Sequence, residues 1–383
     1  MHDVAIIGAG PVGGTLALAL AGNDLDLAVI DARAAGAPAR GDRSLALSHG
    51  ARLILERLDV WSALDSEAGA VTPITAIDIS QARGFGSTRL LASEQRVPAL
   101  GYVVAYRALQ NAIDAALVRA GIVVRFDTAA SSVHGSPSCA SIAIGSGAMP
   151  LTSRLAAVAD GTGTFVDGIV RERRDYGQVA LVAPVWLDDP RAGMAYERFT
   201  EEGPVALLPE GDHHGLIWTM RPERSAAILA LDDPGFLAAL ARHFGARLSG
   251  FRRVGLRRIF PLVQERARPV VAARAVVLGN AAQQLHPVAG QGFNLGLRDA
   301  WELAQSVLDA PREAIGSPSM LAGYAARRRN DRAAAIAFTH GLVRIFGNDL
   351  AILRWPRGLS LAALDLVPFA KRSFAYAMLY GVR

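Results

Sequence analysis

The sequence is short of several things that would settle its class at once. It has one cysteine, Cys139, in 383 residues. No internal disulfide can form, and a reducing compartment suits the chain. Nowhere does it hold the roughly 18 uncharged apolar residues that a membrane-spanning helix needs. The start, Met1-His2-Asp3, leads straight into an apolar strand with no basic and apolar leader. No secretory signal is expected, and a cytoplasmic place follows. The pair His213-His214 beside Asp212 lacks a third ligand at useful spacing, so it reads as a solvated turn and no metal is expected. The composition of a disordered chain is absent too. Hydrophobic residues make up 51% and charged residues 20%. At this length two interleaved lobes are expected around a sizeable core.

What is present is unevenly placed. The net charge is +5, yet residues 311–383 hold ten arginines and Lys371 against four acids. That tail alone is more basic than the whole chain, and it is also rich in Leu, Ile, Phe, Trp and Tyr. An apolar basic segment suits an anionic membrane surface better than nucleic acid. The alternative is a helical segment docked on the body with its arginines in water. No nucleic acid is expected as a partner.

Val4-Ala-Ile-Ile7 reads as a buried strand running into Gly8-Ala-Gly10-Pro-Val-Gly13 and a helix. A second strand ends in Asp31, so the βαβ unit has its acid in the expected place. Gly8 allows the tight turn, Gly10 lets the backbone approach a pyrophosphate, and Gly13 lets the helix pack on the strand. The helix N-terminus favours phosphate, and Asp31 can accept from ribose hydroxyls. Residues 131–150 read as a hairpin region. A later strand ends in Asp160-Gly161, which is either a cofactor contact or a common Asp-Gly turn. Residues 176–265 alternate as an antiparallel sheet, with a helix near Pro234–Phe244. Val276-Val-Leu278 is a last buried strand. Its Gly/Pro-rich exit, from Gly279-Asn280 to Pro287, Gly290 and Gly292, leads into a helix whose bare N–H groups suit an anion or a ring that becomes negative.

Taken together, Gly8-x-Gly10-x-x-Gly13 with Asp31, Asp160-Gly161, and Gly279-Asn280 with Pro287-x-x-Gly290-Gln291-Gly292-x-Asn294 resemble the FAD-dependent aromatic hydroxylases of the para-hydroxybenzoate hydroxylase class. Arg43-Ser-Leu-Ala-Leu-Ser48, Glu197-Arg-Phe-Thr200 with Gly203-Pro204 and Leu208-Pro209, and Leu285–Gly296 are most similar to its ubiquinone-biosynthesis branch, the 2-polyprenyl-6-methoxyphenol 4-hydroxylases.

The resemblance implies an α/β fold: a Rossmann-like FAD-binding domain (1–70, 106–175, 270–310) interleaved with an antiparallel-sheet substrate domain (71–105, 176–269). The basic helical segment 311–383 follows. It implies that Gly8, Gly10, Gly13 and Asp31 hold the ADP part of FAD. Arg43 and Arg107 would touch FAD phosphates or nearby flavin atoms. Asp160 and Gly161 would serve FAD and a passing NAD(P)H. Asn280, Gly292, Phe293 and Asn294 would hold the ribityl chain and the flavin's pyrimidine edge. Pro287, Gly290, Gln291 and Gly292 would set the loop over the ring, with His286 as a candidate proton acceptor or a structural histidine. Phe199, Leu208 and Phe293 would wall the substrate. The implied substrates are a polyprenylated phenol and O2. The implied neighbours are a peripheral membrane surface at the inner face and other quinone-biosynthesis proteins.

There are departures. Asn280 stands where the wider class has Asp, Thr164 replaces a serine, and Asp167 stands where a basic residue is usual. A halogenase would need an active-site lysine, and Lys371 is the only lysine. A prenyl-chain reductase on the same scaffold and a non-catalytic flavin-binding subunit remain as alternatives.

Overall fold

The computed structural model describes residues 1–37, 43–82, 84–145, 149–286, 290–346 and 354–382. The strand His2–Ile7 is the axis of the first layer. Val4, Ala5 and Ile6 are fully buried, as an apolar run covered on both faces requires. Leu27–Ile30 and Leu151–Val158 flank it in parallel. Val124–Arg125 and Ala275–Val277 extend the parallel set outward. The helices Pro11–Leu20 and Tyr106–Arg119 and the helix Gln291–Leu308 share one core with this sheet. The hairpin Ala130–Gly135 and Ala140–Ile144 continues the sheet from Leu151–Val158, where the sequence placed a hairpin.

The second layer is a nine-stranded sheet. Its long strand Val170–Leu187 starts earlier than the boundary at 176 that the sequence suggested. The sheet is antiparallel except at one seam, where Met194–Thr200 runs parallel to Ala76–Gln81. Those two strands are not joined by a hairpin. The chain leaves the sheet, adds four strands to the first layer, and returns, so a parallel pairing is open to it. One face carries Leu181, Val185, Leu207 and Trp218 against helices Pro222–Leu229 and Asp233–Phe244. On the opposite face Ile79, Glu197, Ala206 and Ile217 stand side by side in one row.

A small three-stranded sheet, Ser44–Ser48, Val71–Ile74 and Gly101–Ala105, ties the two layers together. Gly101–Ala105 was expected within the substrate sheet. Its side chains explain the difference, because strand residues alternate between faces. Tyr102 and Val104 enter the first core, while Val103 meets Ala195 and Leu208 of the large sheet.

Three helices end the chain: Pro318–Phe346, Arg354–Leu366 and Pro368–Tyr380. Leu342 and Leu361 pack on Phe199 and Ile79, and Phe374, Leu379 and Tyr380 pack on Leu90 and Leu100. The long helix is pinned by a buried ion network. Arg328 reaches Asp299 at 2.7 Å and Asp331 at 2.6 Å, Arg332 reaches Asp299 at 3.2 Å, and Arg298 reaches Asp331 at 2.8 Å. Near the chain end, Val382 N donates to Asp331 at 3.0 Å. The segment is docked, as one reading of the sequence had it, but Arg328, Arg332, Arg357 and Lys371 are buried and not solvated.

Candidate active site

The glycines of the first turn do three separate jobs. Gly8 has φ +98°, and a Cβ there would lie 2.7 Å from Ala159 O. A Cβ on Gly13 would lie 1.8 Å from Gly8 O, so only glycine lets the helix sit this close. Gly10 is different: a Cβ there would meet nothing within 4 Å, and the space in front of it opens on the cleft. Pro11 begins the helix, where its fixed φ fits and its missing N–H costs nothing. Asp31 accepts from Ala9 N at 2.6 Å and from Arg33 N at 2.7 Å. An ionised carboxylate offers about four acceptor sites. Two are left for the vicinal hydroxyls of a ribose.

A cleft of about 380 Å³ runs from this turn to the start of helix Gln291–Leu308. Asp31, Arg43, Asp160, Gly161, Asn280, Gly292 and Phe293 all line it, so the structure brings together the separate stretches singled out in the sequence. The Arg43 guanidinium lies 4.4 Å over the Tyr106 ring. Arg107 is exposed one residue on and is not among the lining residues; Tyr106 and Gln110 face the cleft instead. Residues four apart share a helix face, and Arg107 lies off that face. Arg33, held by Asp114 through two 3.0 Å bonds, also lines the cleft, as does Phe165. No short pattern in the sequence marks them.

Asp160 accepts from Thr162 N at 3.1 Å and Gly163 N at 2.8 Å, so it is both a turn-former and a cleft residue. Asp167 is exposed and paired with His134. The cation here is Arg171. It donates to Thr162 O in one loop, to Asn280 O at 3.3 Å and Ala281 O at 2.8 Å in the other, and is held by Glu265 at 2.7 Å. It braces these two loops against each other.

At the far end, Gly290 caps helix Gln291–Leu308 with φ +60°, and a Cβ on it would lie 3.0 Å from Ala46 Cβ. Asn294 Oδ1 accepts from Ser48 N at 2.8 Å, and its amide donates to Ala46 O at 3.0 Å and Gly290 O at 2.8 Å. Its polar atoms are taken up in stapling strand Ser44–Ser48 to the helix. It therefore shapes the site instead of offering itself to a ligand. Gln291 and Asn294 border a hollow of about 90 Å³ with Ile74, Ile77 and Met378. His286 is buried, meets Tyr176 edge-on at 5.3 Å, and is pushed by burial down to about 4. It stays neutral near pH 7 and does not line the cleft. Pro287 lies outside the described residues.

The open space before Gly10, the acceptor sites of Asp31 and the helix start at Gly290 suit an adenosine diphosphate joined to a flavin. The FAD binding domain family matches residues 1–339. The chain belongs to this family. FAD is thus its cofactor. The chain is 34% identical to the ubiquinone hydroxylase UbiL of Rhodospirillum rubrum, over 97% of this chain and 88% of the relative. It is 29% identical to the 3-demethoxyubiquinol 3-hydroxylase of Escherichia coli, over 98% of each. Among solved structures it shares its fold with the p-nitrophenol 4-monooxygenase PnpA of Pseudomonas putida. That match has a TM-score of 0.77, covers 100% of this chain and 99% of the other, and is 16% identical.

Proposed function

We propose that this FAD-binding protein is a monooxygenase of ubiquinone biosynthesis, using NAD(P)H and O2 to hydroxylate a polyprenylated phenol. The substrate we assign is a 2-polyprenyl-6-methoxyphenol, converted to the 1,4-benzoquinol. The observation that carries this reading is the apolar surrounding of the Gly290 end, where Ala46, Ile74, Ile77 and Leu100 wall the hollow of about 90 Å³. Ala46, on which Gly290 rests, stands beside Val103, and Val103 packs with Ile74, Ala195 and Leu208. Phe199 with Leu361 and Leu342 continues the apolar wall under the last helices. The names of the ubiquinone hydroxylase relatives point the same way.

When bound, FAD supplies the redox chemistry that turns O2 into an oxygen donor. The chain's own part is electrostatic and steric. The positive end of helix Gln291–Leu308 favours negative charge at the ring edge. The apolar wall keeps water from the reacting atoms. Trp355, Leu366 and Phe369 on the last two helices are 70%, 80% and 81% exposed. They suit a lipid surface from which a long-tailed phenol is drawn. No helix among the described residues is long and apolar enough to cross a membrane.

The test is quinone-intermediate profiling by mass spectrometry in cells lacking the protein. Accumulated 2-polyprenyl-6-methoxyphenol is expected, and normal quinone levels would refute the assignment. Liposome co-sedimentation of a Leu366→Ser, Phe369→Ser variant tests the lipid contact. Sedimentation equal to the parent would remove it.

A further inference from the structure

Glu197 is out of place by ordinary packing rules. It stands on the sheet face turned toward the flavin end, between Ile79 on one neighbouring strand and Ala206 on the other. Along its own strand the same face carries Ala195 and Phe199. Ala195 belongs to the apolar cluster with Val103, which adjoins Ala46 and Gly290. Phe199 belongs to the cluster closed by Leu342 and Leu361 of the C-terminal helices. The carboxyl is thus set between the apolar cluster that adjoins Ala46 and Gly290 and the C-terminal helices that pack on Phe199. The residue as a whole keeps some accessible surface, yet Oε1 reaches no solvent and has no hydrogen-bond partner. A buried acceptor left unmatched is costly, so a fold alone would not select it.

We propose that Glu197 is the general base of the hydroxylation, taking the proton of the substrate's phenol. This rests on the hydroxylase reading given above. The phenolic O–H bond breaks and its proton passes to the Glu197 carboxylate. The electron pair stays on the phenolic oxygen and flows into the ring. The para carbon then forms a C–O bond to one oxygen atom derived from O2, while the other leaves as water. Glu197 returns its proton to the ring oxygen as the hydrogen on the hydroxylated carbon is lost to water. NAD(P)H supplies the two electrons.

The electrostatics fit that role. Burial alone pushes the Glu197 carboxyl up to about 7. The helices packed opposite carry His340, Arg344, Arg357 and Asp365 within about a turn of Leu342 and Leu361, and none contributes to the shift. On the flanking strands Ile79 and Ala206 bring no charge. An unperturbed phenol titrates near 10, so transfer to Glu197 is uphill by roughly three decades. Transfer to His286, at about 4, would be uphill by roughly six. A base titrating near the working pH is the more effective one.

The experiment uses the full FAD-loaded chain, Glu197→Gln and Glu197→Asp. The binding probe is 4-fluoro-2-methoxy-6-geranylphenol, followed by fluorine NMR from about pH 6 to about pH 9. Turnover is measured on 2-geranyl-6-methoxyphenol. In the parent, the bound fluorine signal should titrate near pH 7. In Glu197→Gln it should be flat, with turnover lower by roughly 100- to 10,000-fold and an unchanged flavin spectrum. Glu197→Asp should restore part of both. A glutamine variant that keeps the titration and the rate overturns the assignment of the base alone. A parent that binds FAD and the probe but forms no hydroxylated product overturns the hydroxylase reading, and this inference with it.

Discussion

Asp299→Asn should cost far more than its size suggests. Asp299 is fully buried, and its carboxylate meets Arg328 at 2.7 Å, Arg332 at 3.2 Å and Gln283 at 2.9 Å. With Asp331 and Arg298 it makes a buried cluster of three guanidiniums and two carboxylates. Asparagine keeps the shape but leaves Asp331 alone with three cations. Removing one partner of a buried pair costs about 3–5 kcal/mol. A whole protein is stable by only about 5–15 kcal/mol. A fall in melting temperature of roughly 6–20 °C follows at about 2–4 °C per kcal/mol. Gln283 loses its anchor too. It sits in the short strand Gln283–Gln284, which leads into His286 and the loop before Gly290. FAD should therefore leave before the fold melts, and flavin fluorescence should rise ahead of the circular-dichroism transition. Acid adds a second signature. Burial would raise the Asp299 carboxyl, but Arg332, Arg328 and the bond from Gln283 outweigh it and hold it below the usual range. A lowered pKa gives stability that is present above the unfolded value near 3.9 and lost as pH falls through the folded value. The parent should lose this part of its stability below about pH 4, and the asparagine variant should lack that part of the acid response. A variant that melts within about 1 °C of the parent at pH 7 would refute the reasoning.

Gly13→Ala should abolish FAD binding, because the new Cβ would lie 1.8 Å from Gly8 O; a normal flavin content after purification would contradict this. Arg171→Met removes the brace between the loops at Thr162 and at Asn280 and Ala281. Bonds to a charged donor are worth about 1.5–3 kcal/mol, so FAD affinity should fall roughly 10- to 100-fold by fluorescence titration. An unchanged affinity would make Arg171 a bystander. Asn280→Asp should keep or tighten FAD, since the side chain is exposed in the cleft and the wider class carries a carboxylate there. Complete loss of FAD would displace the ribityl chain from this loop. Glu197→Gln should stabilise the fold above neutral pH. A carboxyl raised to about 7 contributes stability below its unfolded value near 4.3 and loses it as pH rises toward 7. The neutral variant should gain roughly 4 kcal/mol at pH 8, and urea unfolding with no gain there would count against the burial argument.

The FAD-binding layer was legible because its signals are local. Gly8, Gly10, Gly13 and Asp31 lie within one βαβ unit, and each acts through its own backbone or a near neighbour. What stayed hidden depends on contacts distant in sequence. Asn294 was read as a ligand because it follows Gly292, but its amide is bonded to Ser48 and Ala46, far away in sequence. Arg107 was implied by the resemblance, and the helix phase that turns Tyr106 to the cleft in its place cannot be seen in a sequence. Glu197 was quoted only as part of a pattern, since nothing in Glu-Arg-Phe-Thr says which face of the sheet its carboxyl takes.

The C-terminal charge shows the same limit and changes the case for a lipid surface. Counted along the chain, residues 311–383 hold eleven cations against four acids. In the fold, Arg328 and Arg332 are turned inward onto Asp299, which belongs to an earlier helix. Lys371 is paired with Glu94 at 3.1 Å and Asp365 at 3.0 Å. Part of the apparent basicity is thus internal glue between the tail and helix Gln291–Leu308. It is not available to phospholipid headgroups at a distance. The feature that remains for a membrane is apolar: Leu366, Phe369 and Trp355 stand outward on helices whose other faces pack on Phe199, Leu90 and Leu100. Binding driven by such residues should survive high salt, whereas binding driven by the basic tail should be screened away. Vesicle association that vanishes in about 0.5 M salt would return the argument to charge and leave these three side chains without a role.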